Sequence, residues 1–246
     1  MTNALALDED HHVHSTFSDD AVSTVAENVQ TARLRGLRAL CLADHVRHDS
    51  AWVPDFVSAV DALRPVPGLD VLAGVEVKIL DRTGRLDLPD DISGADVVLI
   101  ADHQFPGDLG PVHPQAMRDA IASGLVTAGE VIDCLIDATM GALMRAAQLD
   151  QRPQLAHLFS IVPKMGLDET SISDRAIGQL ALQARAAGAR LEVNEKWACP
   201  SARTVRTFAE TDVDLVASTD SHDCRDIGGY SQVRRIADGA FSGAVP

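Results

Sequence analysis

The sequence predicts an α/β protein whose parallel strands close into a single TIM-like barrel. Three observations carry that prediction. The chain has 246 residues, an ordinary length for one such barrel. Seven strand-like apolar runs recur along it, each followed by a helical pattern. No glycine-rich GxGxxG or P-loop pattern follows the first run, which disfavours an open doubly wound sheet.

The expected strands lie around Val13 and over Ala39–Ala43, Val71–Val77, Val97–Ala101, Leu155–His157, Arg190–Asn194 and Val213–Ser218. Between the first two, Val22, Val25, Ala26, Val29 and Ala32 repeat at helical spacing. Thr24 and Glu27 stand in capping-box positions there, and Gly36 supplies a stop. A second helix is expected over 131–149, with Ile132, Leu135, Ile136, Thr139 and Leu143 on one face and Thr127 and Glu130 opening it. A third, alanine-rich, runs over 174–187 and ends at Gly188. The segment from Gly107 to Gly129 is long for a loop and holds Pro111 and Pro114. It is expected to be a lid or insertion over the site, with a plain surface excursion and a short helix near Met117 as the other reading. Residues 1–246 are otherwise taken as one domain.

Composition narrows the function classes. Hydrophobic residues make up 46% and charged residues 23%, enough for a full core and against disorder. The formal charge of −15 repels phosphate backbones, so no nucleic-acid surface is expected. Aromatics are only 4%, which leaves few platforms for base stacking and disfavours an exonuclease. Cys41, Cys134, Cys199 and Cys224 are scattered without CxxC spacing, so neither a disulfide framework nor a thiolate zinc site is expected. The first residues lack a basic segment followed by an apolar run, and no window approaches the ~20 apolar residues of a membrane span. A cytoplasmic protein with no membrane partner is the expectation.

The positions of the histidines and acids relative to the strands are more informative. His12 and His14 stand two apart, so on an extended strand they point the same way and can share one ion. His45 follows LRALCLA, Glu76 lies in GVEVK, His103 follows VVLIAD, His157 ends QLAH, and Asp220 and His222 close STDSHD. Parallel α/β barrels place their active sites at the carboxyl ends of the strands, so these scattered residues would converge on one mouth. Imidazole plus carboxylate without thiolate suits Zn²⁺, Mn²⁺ or Fe²⁺, and the ligands outnumber what one catalytic ion needs.

These residues resemble the PHP family, named for polymerase and histidinol phosphatase. DHHVHSTFSDD matches its opening HxH…SD motif, LADH its second, GVEVK its glutamate motif and STDSHD its closing DxH motif, together spanning residues 10–223. The resemblance implies a distorted (β/α)₇ barrel holding three divalent ions, Zn, Mn or Fe. His12, His14, Glu76 and Asp220 would bind the first; Glu76 would bridge to a second held by His103 and His157; Asp19, His45 and His222 would hold the third. Glu76, Asp220 and His222 are then the candidate catalytic groups. Three carboxylates against three dications leave the site near about +3, or about +2 with a bridging hydroxide, a surplus that fits a phosphate monoester. The implied activity is histidinol-phosphatase-like hydrolysis of a small phosphorylated molecule by attack of that hydroxide.

The chain departs from the family in several places. The family often has Gly-His-Pro where this chain reads AHLF around His157, and a separate His-Pro occurs at His113; His157 is favoured because it ends a strand-like run. Asp20 replaces the usual small residue after SD, and His11 adds an imidazole expected to face away from His12. For substrate binding, Lys196 and Lys78 rank first among the cations near strand ends, followed by Arg225 and His48; Arg47 and Lys164 lie in similar places. A phosphodiesterase or cyclic-phosphate hydrolase, a noncatalytic metal-bound scaffold and an amidohydrolase-type C–N hydrolase are the alternatives. Oligomeric state is not legible.

Overall fold

The computed structural model describes residues 5–242. In chain order the elements are β1 (Glu9–Val13), α1 (Val25–Leu34), β2 (Ala39–Val46), α2 (Val53–Asp61), β3 (Asp70–Lys78) and β4 (Val97–Ala101). A short hairpin follows, β5 (Phe105–Gly107) and β6 (Gly110–Val112), then α3 (Pro114–Ala122) and α4 (Ala128–Ala146). The chain continues through β7 (Arg152–Leu155), α5 (Asp174–Ala186), β8 (Arg190–Asn194), α6 (Ala202–Glu210), β9 (Leu215–Ser218) and α7 (Gln232–Phe241).

Seven parallel strands form one sheet in the order β1-β2-β3-β4-β7-β8-β9, so every strand expected from the sequence is present. The barrel is nearly closed. At the seam between β1 and β9, the His14 amide donates to the Ser221 carbonyl at 2.8 Å. Buried Asp10 staples the same seam, accepting from the Thr219 amide (2.9 Å) and hydroxyl (2.6 Å) and from the Gly228 amide (2.9 Å).

Strand alternation divides the side chains into two layers. On β2, Leu40, Leu42 and Val46 join the large outer core with Val29, Phe56, Leu135, Ile177 and Phe208 from the helices. Cys41 and Ala43 point the other way, into a small inner cluster with Val97, Leu99, Ala101 and Ala156. A Cβ on Gly74 would lie 2.9 Å from both Cys41 Sγ and Leu99 Cδ1, so any larger residue at that point on β3 would have to push these side chains aside in the barrel centre. Counting upward by twos from this inner layer leads to His45, Glu76 and His103 at the carboxyl rim.

The helices start where local chemistry says they should. Thr24 and Thr127 form complete capping boxes with Glu27 and Glu130. The first helix begins at Val25 rather than Val22, which is exposed, and α4 lies three residues earlier than expected, over 128–146. The segment 107–129 contains the end of a hairpin, α3 and the entry to α4. Cys134 donates its thiol to the Pro106 carbonyl at 3.4 Å, and Arg118 of α3 packs on Gly166.

Candidate metal centre

β1 begins the site with an irregularity. Its register runs Glu9↔Ala39, Asp10↔Leu40, Val13↔Leu42, so one extra residue is inserted between Asp10 and Val13. The bulge breaks simple alternation at His11 and His12. His12 and His14 reach the rim, both buried. His11 does not: its ring meets Glu9 Oε2 at 2.9 Å and Arg190 NH1 at 3.2 Å.

Glu76 is the hub. Its Oε1 lies 2.9 Å from His157 Nε2 and 3.0 Å from His103 Nε2; its Oε2 lies 2.6 Å from His45 Nδ1, 3.5 Å from His12 Nε2 and 3.7 Å from His14 Nε2. Asp220 extends the cluster, with Oδ1 3.3 Å from His14 Nε2 and 3.6 Å from His222 Nδ1. Three overlapping groups, His14–His45–His222, His12–His14–Glu76 and His45–Glu76–His103, are each close enough to hold one cation. Eight of the nine residues expected to bind metal therefore meet in one cluster.

The exception is Asp19. It lines the cleft, but the carboxylate brought to the outer imidazoles belongs to Asp20, whose Oδ2 lies 3.1 Å from His222 Nε2 and 3.7 Å from His45 Nε2. His113 stays apart as the N-cap of α3, its Nδ1 accepting from the Gln115 amide, which leaves His157 as the histidine in the cluster. Among the expected substrate groups, Lys196 and Lys78 line a cleft of about 560 Å³ above the cluster, each beside a carboxylate: Asp220 at 3.4 Å and Asp87 at 3.2 Å. Arg225 is mostly exposed and forks onto Asp223, and His48 turns outward to Asp87 at 3.3 Å; neither reaches the cluster.

A layer of carboxylates that sequence reading missed holds the imidazoles from behind. Glu192 is fully buried and accepts from His12 Nδ1 (3.0 Å), Asn194 Nδ2 (2.6 Å), Gln154 Nε2 (2.9 Å) and the His157 amide (3.2 Å). Asp102 stands 3.3 Å from His157 Nδ1 and accepts from Ser160 Oγ at 2.7 Å. Asp44 receives the amides and hydroxyls of both Ser15 and Ser18, and Ser18 Oγ in turn faces His14 Nδ1 at 3.4 Å. Such partners fix which imidazole nitrogen points at the centre. Glu192 and Asp102 were detectable as acids in or beside strand runs, but nothing in the sequence tied them to a particular histidine.

Burial and charge pull the pKa values apart. Burial depresses His14 to about 3. It also opposes protonation of His157, but Asp102 and Glu76 outweigh it and raise that imidazole to about 10. Glu76 is buried too, yet His103 and His12 hold it well below the usual carboxylate range. Backbone strain collects in the same place: His157 (φ 31°) and Asp220 (φ 54°) both adopt left-handed conformations that non-glycine residues avoid.

Whether the residues fit metal ions is decided by their unpaired atoms. Among the described residues, buried His12 Nε2, His14 Nε2 and Glu76 Oε2 make no well-aligned hydrogen bond, although His45 Nδ1 crowds Glu76 Oε2 at 2.6 Å and Asp220 Oδ1 stands 3.3 Å from His14 Nε2. Leaving several buried polar atoms unsatisfied at one point is costly unless something else binds them. Two lone pairs and a carboxylate oxygen converging there form a donor set suited to a divalent cation.

Fold and site together define a class: a parallel α/β barrel with a rim built for more than one divalent cation. The PHP domain family matches residues 10–151, and the chain belongs to that family. It is 34% identical over 122 residues to a probable phosphatase of Shewanella sp. (strain MR-4), an alignment covering 48% of each chain. It is 35% identical over 123 residues to a probable phosphatase of Thermoanaerobacter sp. (strain X514), covering 48% of this chain and 50% of that one. The chain thus matches about half the length of these curated relatives. A crystal structure of histidinol phosphate phosphatase from Lactococcus lactis, complexed with zinc, L-histidinol and phosphate, superposes with a TM-score of 0.68 at 15% identity, covering 97% of this chain and 94% of that one. That likeness extends the shared barrel across nearly the whole chain.

Proposed function

We propose that the protein is a metal-dependent phosphoesterase that hydrolyses a small-molecule phosphate monoester. The observation that carries the reading is the convergence of His12, His14, His45, His103 and His157 on the one carboxylate of Glu76, which itself lines an open cleft. His12, His14, Glu76 and Asp220 would hold one ion, Glu76, His103 and His157 a second, and His45 and His222 a third, with Asp20 or Asp19 supplying its carboxylate. Zn²⁺, Mn²⁺ and Fe²⁺ all suit this imidazole and carboxylate set. Bound there, divalent ions supply positive charge for phosphoryl oxygens and a water of lowered pKa.

The chain's own residues do the rest. Glu192 and Asp102 orient His12 and His157, and the Asp44–Ser18 pair holds the loop bearing His14. Lys196, with Nζ 3.4 Å from Asp220 and 3.2 Å from His222 Nδ1, stands where it can bind a phosphate oxygen entering the cleft. The names of the aligned relatives support the reaction class, and the Lactococcus protein's histidinol phosphate is the first substrate to try. Four unpaired cysteines accord with a reducing, cytoplasmic setting.

The test is phosphate release from a panel of monoesters and diesters by metal-loaded protein, beside elemental analysis. Release from monoesters that disappears in Glu76→Ala supports the reading. Preference for diesters moves the assignment to a phosphodiesterase. Bound metal with no turnover on any ester leaves a scaffold.

A further inference from the structure

Beside the main cleft stands a lysine that the metal cluster does not account for. Lys164 sits in a short 3-10 turn, Pro163–Met165, and its ammonium lies 3.6 Å from the centroid of the Trp197 ring. Unlike Lys78 and Lys196, it has no carboxylate within ion-pair distance among the described residues. It is half-buried, and burial pulls its pKa below the ordinary lysine value. A partly desolvated ammonium stacked on an indole gains some cation–π attraction, yet keeps its hydrogens free for an anion.

Its position relative to the cluster is fixed by the same indole. Trp197 Nε1 donates to Asp220 Oδ2 at 2.9 Å, so Lys164 stands one ring away from a rim carboxylate. Lys164 also walls a side cleft of about 400 Å³ with His103, Gln104, His113, Pro114 and Gln115. His103 and Gln104 line the main cleft as well, so the two spaces adjoin at these residues. One wall of the side cleft is the start of α3, within the segment 107–129 whose sequence suits either a lid or insertion or a plain surface excursion.

We propose that Lys164, on its Trp197 platform, is a second anion-binding subsite that takes a negative group on the leaving-group side of the substrate. The preferred substrates are then monoesters whose alcohol portion carries a carboxylate or a further phosphate. This rests on the phosphoesterase reading for the reaction itself, but not for binding.

The experiment uses a short series of ω-hydroxy acid monophosphates, each beside its neutral carboxamide, on the metal-loaded full chain. For the best-fitting member, wild type favours the acid over the amide by about tenfold in kcat/KM, the worth of one hydrogen bond to a charged group. Lys164→Met brings that ratio close to one while the amide is turned over as before, and Lys164→Arg keeps most of the preference. No preference in wild type, an unchanged ratio in Lys164→Met, or equal slowing of acid and amide overturns the proposal; the last result would move Lys164 to the scissile phosphate. If no ester is hydrolysed, binding still decides. The chain has two tryptophans, so Trp52→Phe leaves Trp197 as the sole reporter, and its fluorescence is titrated with ω-carboxyalkyl phosphonates and their amides. A response to acids alone that Lys164→Met removes supports the subsite; equal responses to acid and amide overturn it.

Discussion

The two faces of the same barrel strands are built to opposite rules. On β2 the outward residues Leu40, Leu42 and Val46 are packed against helices and leave nothing unsatisfied. The inward series Cys41, Ala43 and His45 ends at the rim, among buried atoms without well-aligned hydrogen bonds and two residues in left-handed conformations. The wall is optimised for folding, whereas the rim holds unfavourable groups in place for something that binds them. The expected consequence is that rim substitutions remove function at little cost in stability, and wall substitutions do the reverse.

The strongest test of that contrast is Glu76→Gln. It removes the negative charge shared by five imidazoles, and phosphate release should fall by roughly a thousandfold, several kcal/mol at 1.36 kcal/mol per decade. The metal-free melting temperature should also fall, since the charged carboxylate is paired with His103 and His12, but by less than an emptied wall site costs, because Gln keeps the volume and a hydrogen-bonding oxygen. A large loss of stability with activity retained per folded molecule would break the comparison. Next comes the wall: Phe208→Ala empties a fully buried site on α6 and should cost about 3–5 kcal/mol in urea unfolding, with kcat per folded molecule unchanged.

Glu192→Gln sharpens the boundary between the two regions, because the side chain touches His12 but not the cleft. Metal affinity, measured by competition with a chelator, should weaken about 10–100-fold while the barrel stays folded. At the seam, burial pushes Asp10 up to about 6 from the ordinary 3.8, against the pull of its bonds to Thr219 and Gly228. Its folded form holds a proton more tightly than its unfolded form, so its contribution to stability falls as pH rises from 3.8 towards about 6. The stability of wild type relative to Asp10→Asn should therefore decline across that window; a difference that grows with pH would contradict it. The smallest effect is Thr24→Ala, which removes a surface capping box at about 1 kcal/mol and should leave metal binding untouched.

Legibility followed sequence distance. The capping boxes at Thr24 and Thr127 were readable because both halves lie within one turn. By contrast, the helix after the last strand could be given no bounds: the amides of Ser231, Gln232 and Val233 at the start of α7 are capped by Glu195, more than thirty residues earlier in the chain. The hairpin β5–β6 was missed because its strands have three residues each, too few to show a period. His157 was placed at a strand end, but β7 stops at Leu155 and the ring reaches Glu76 only through a left-handed turn.

By itself the sequence determined the seven strands of the barrel, the parallel α/β class and which histidines and acids stand at strand ends, because alternation and helical spacing are local properties of the chain. Tertiary structure alone decided that Asp20 rather than Asp19 faces His45 and His222, that Glu192 and Asp102 hold the imidazoles, and that Lys164 lies on Trp197. Those choices turn on a single residue's direction or on strands far apart in the chain, and only closure of the barrel brings them within hydrogen-bonding distance.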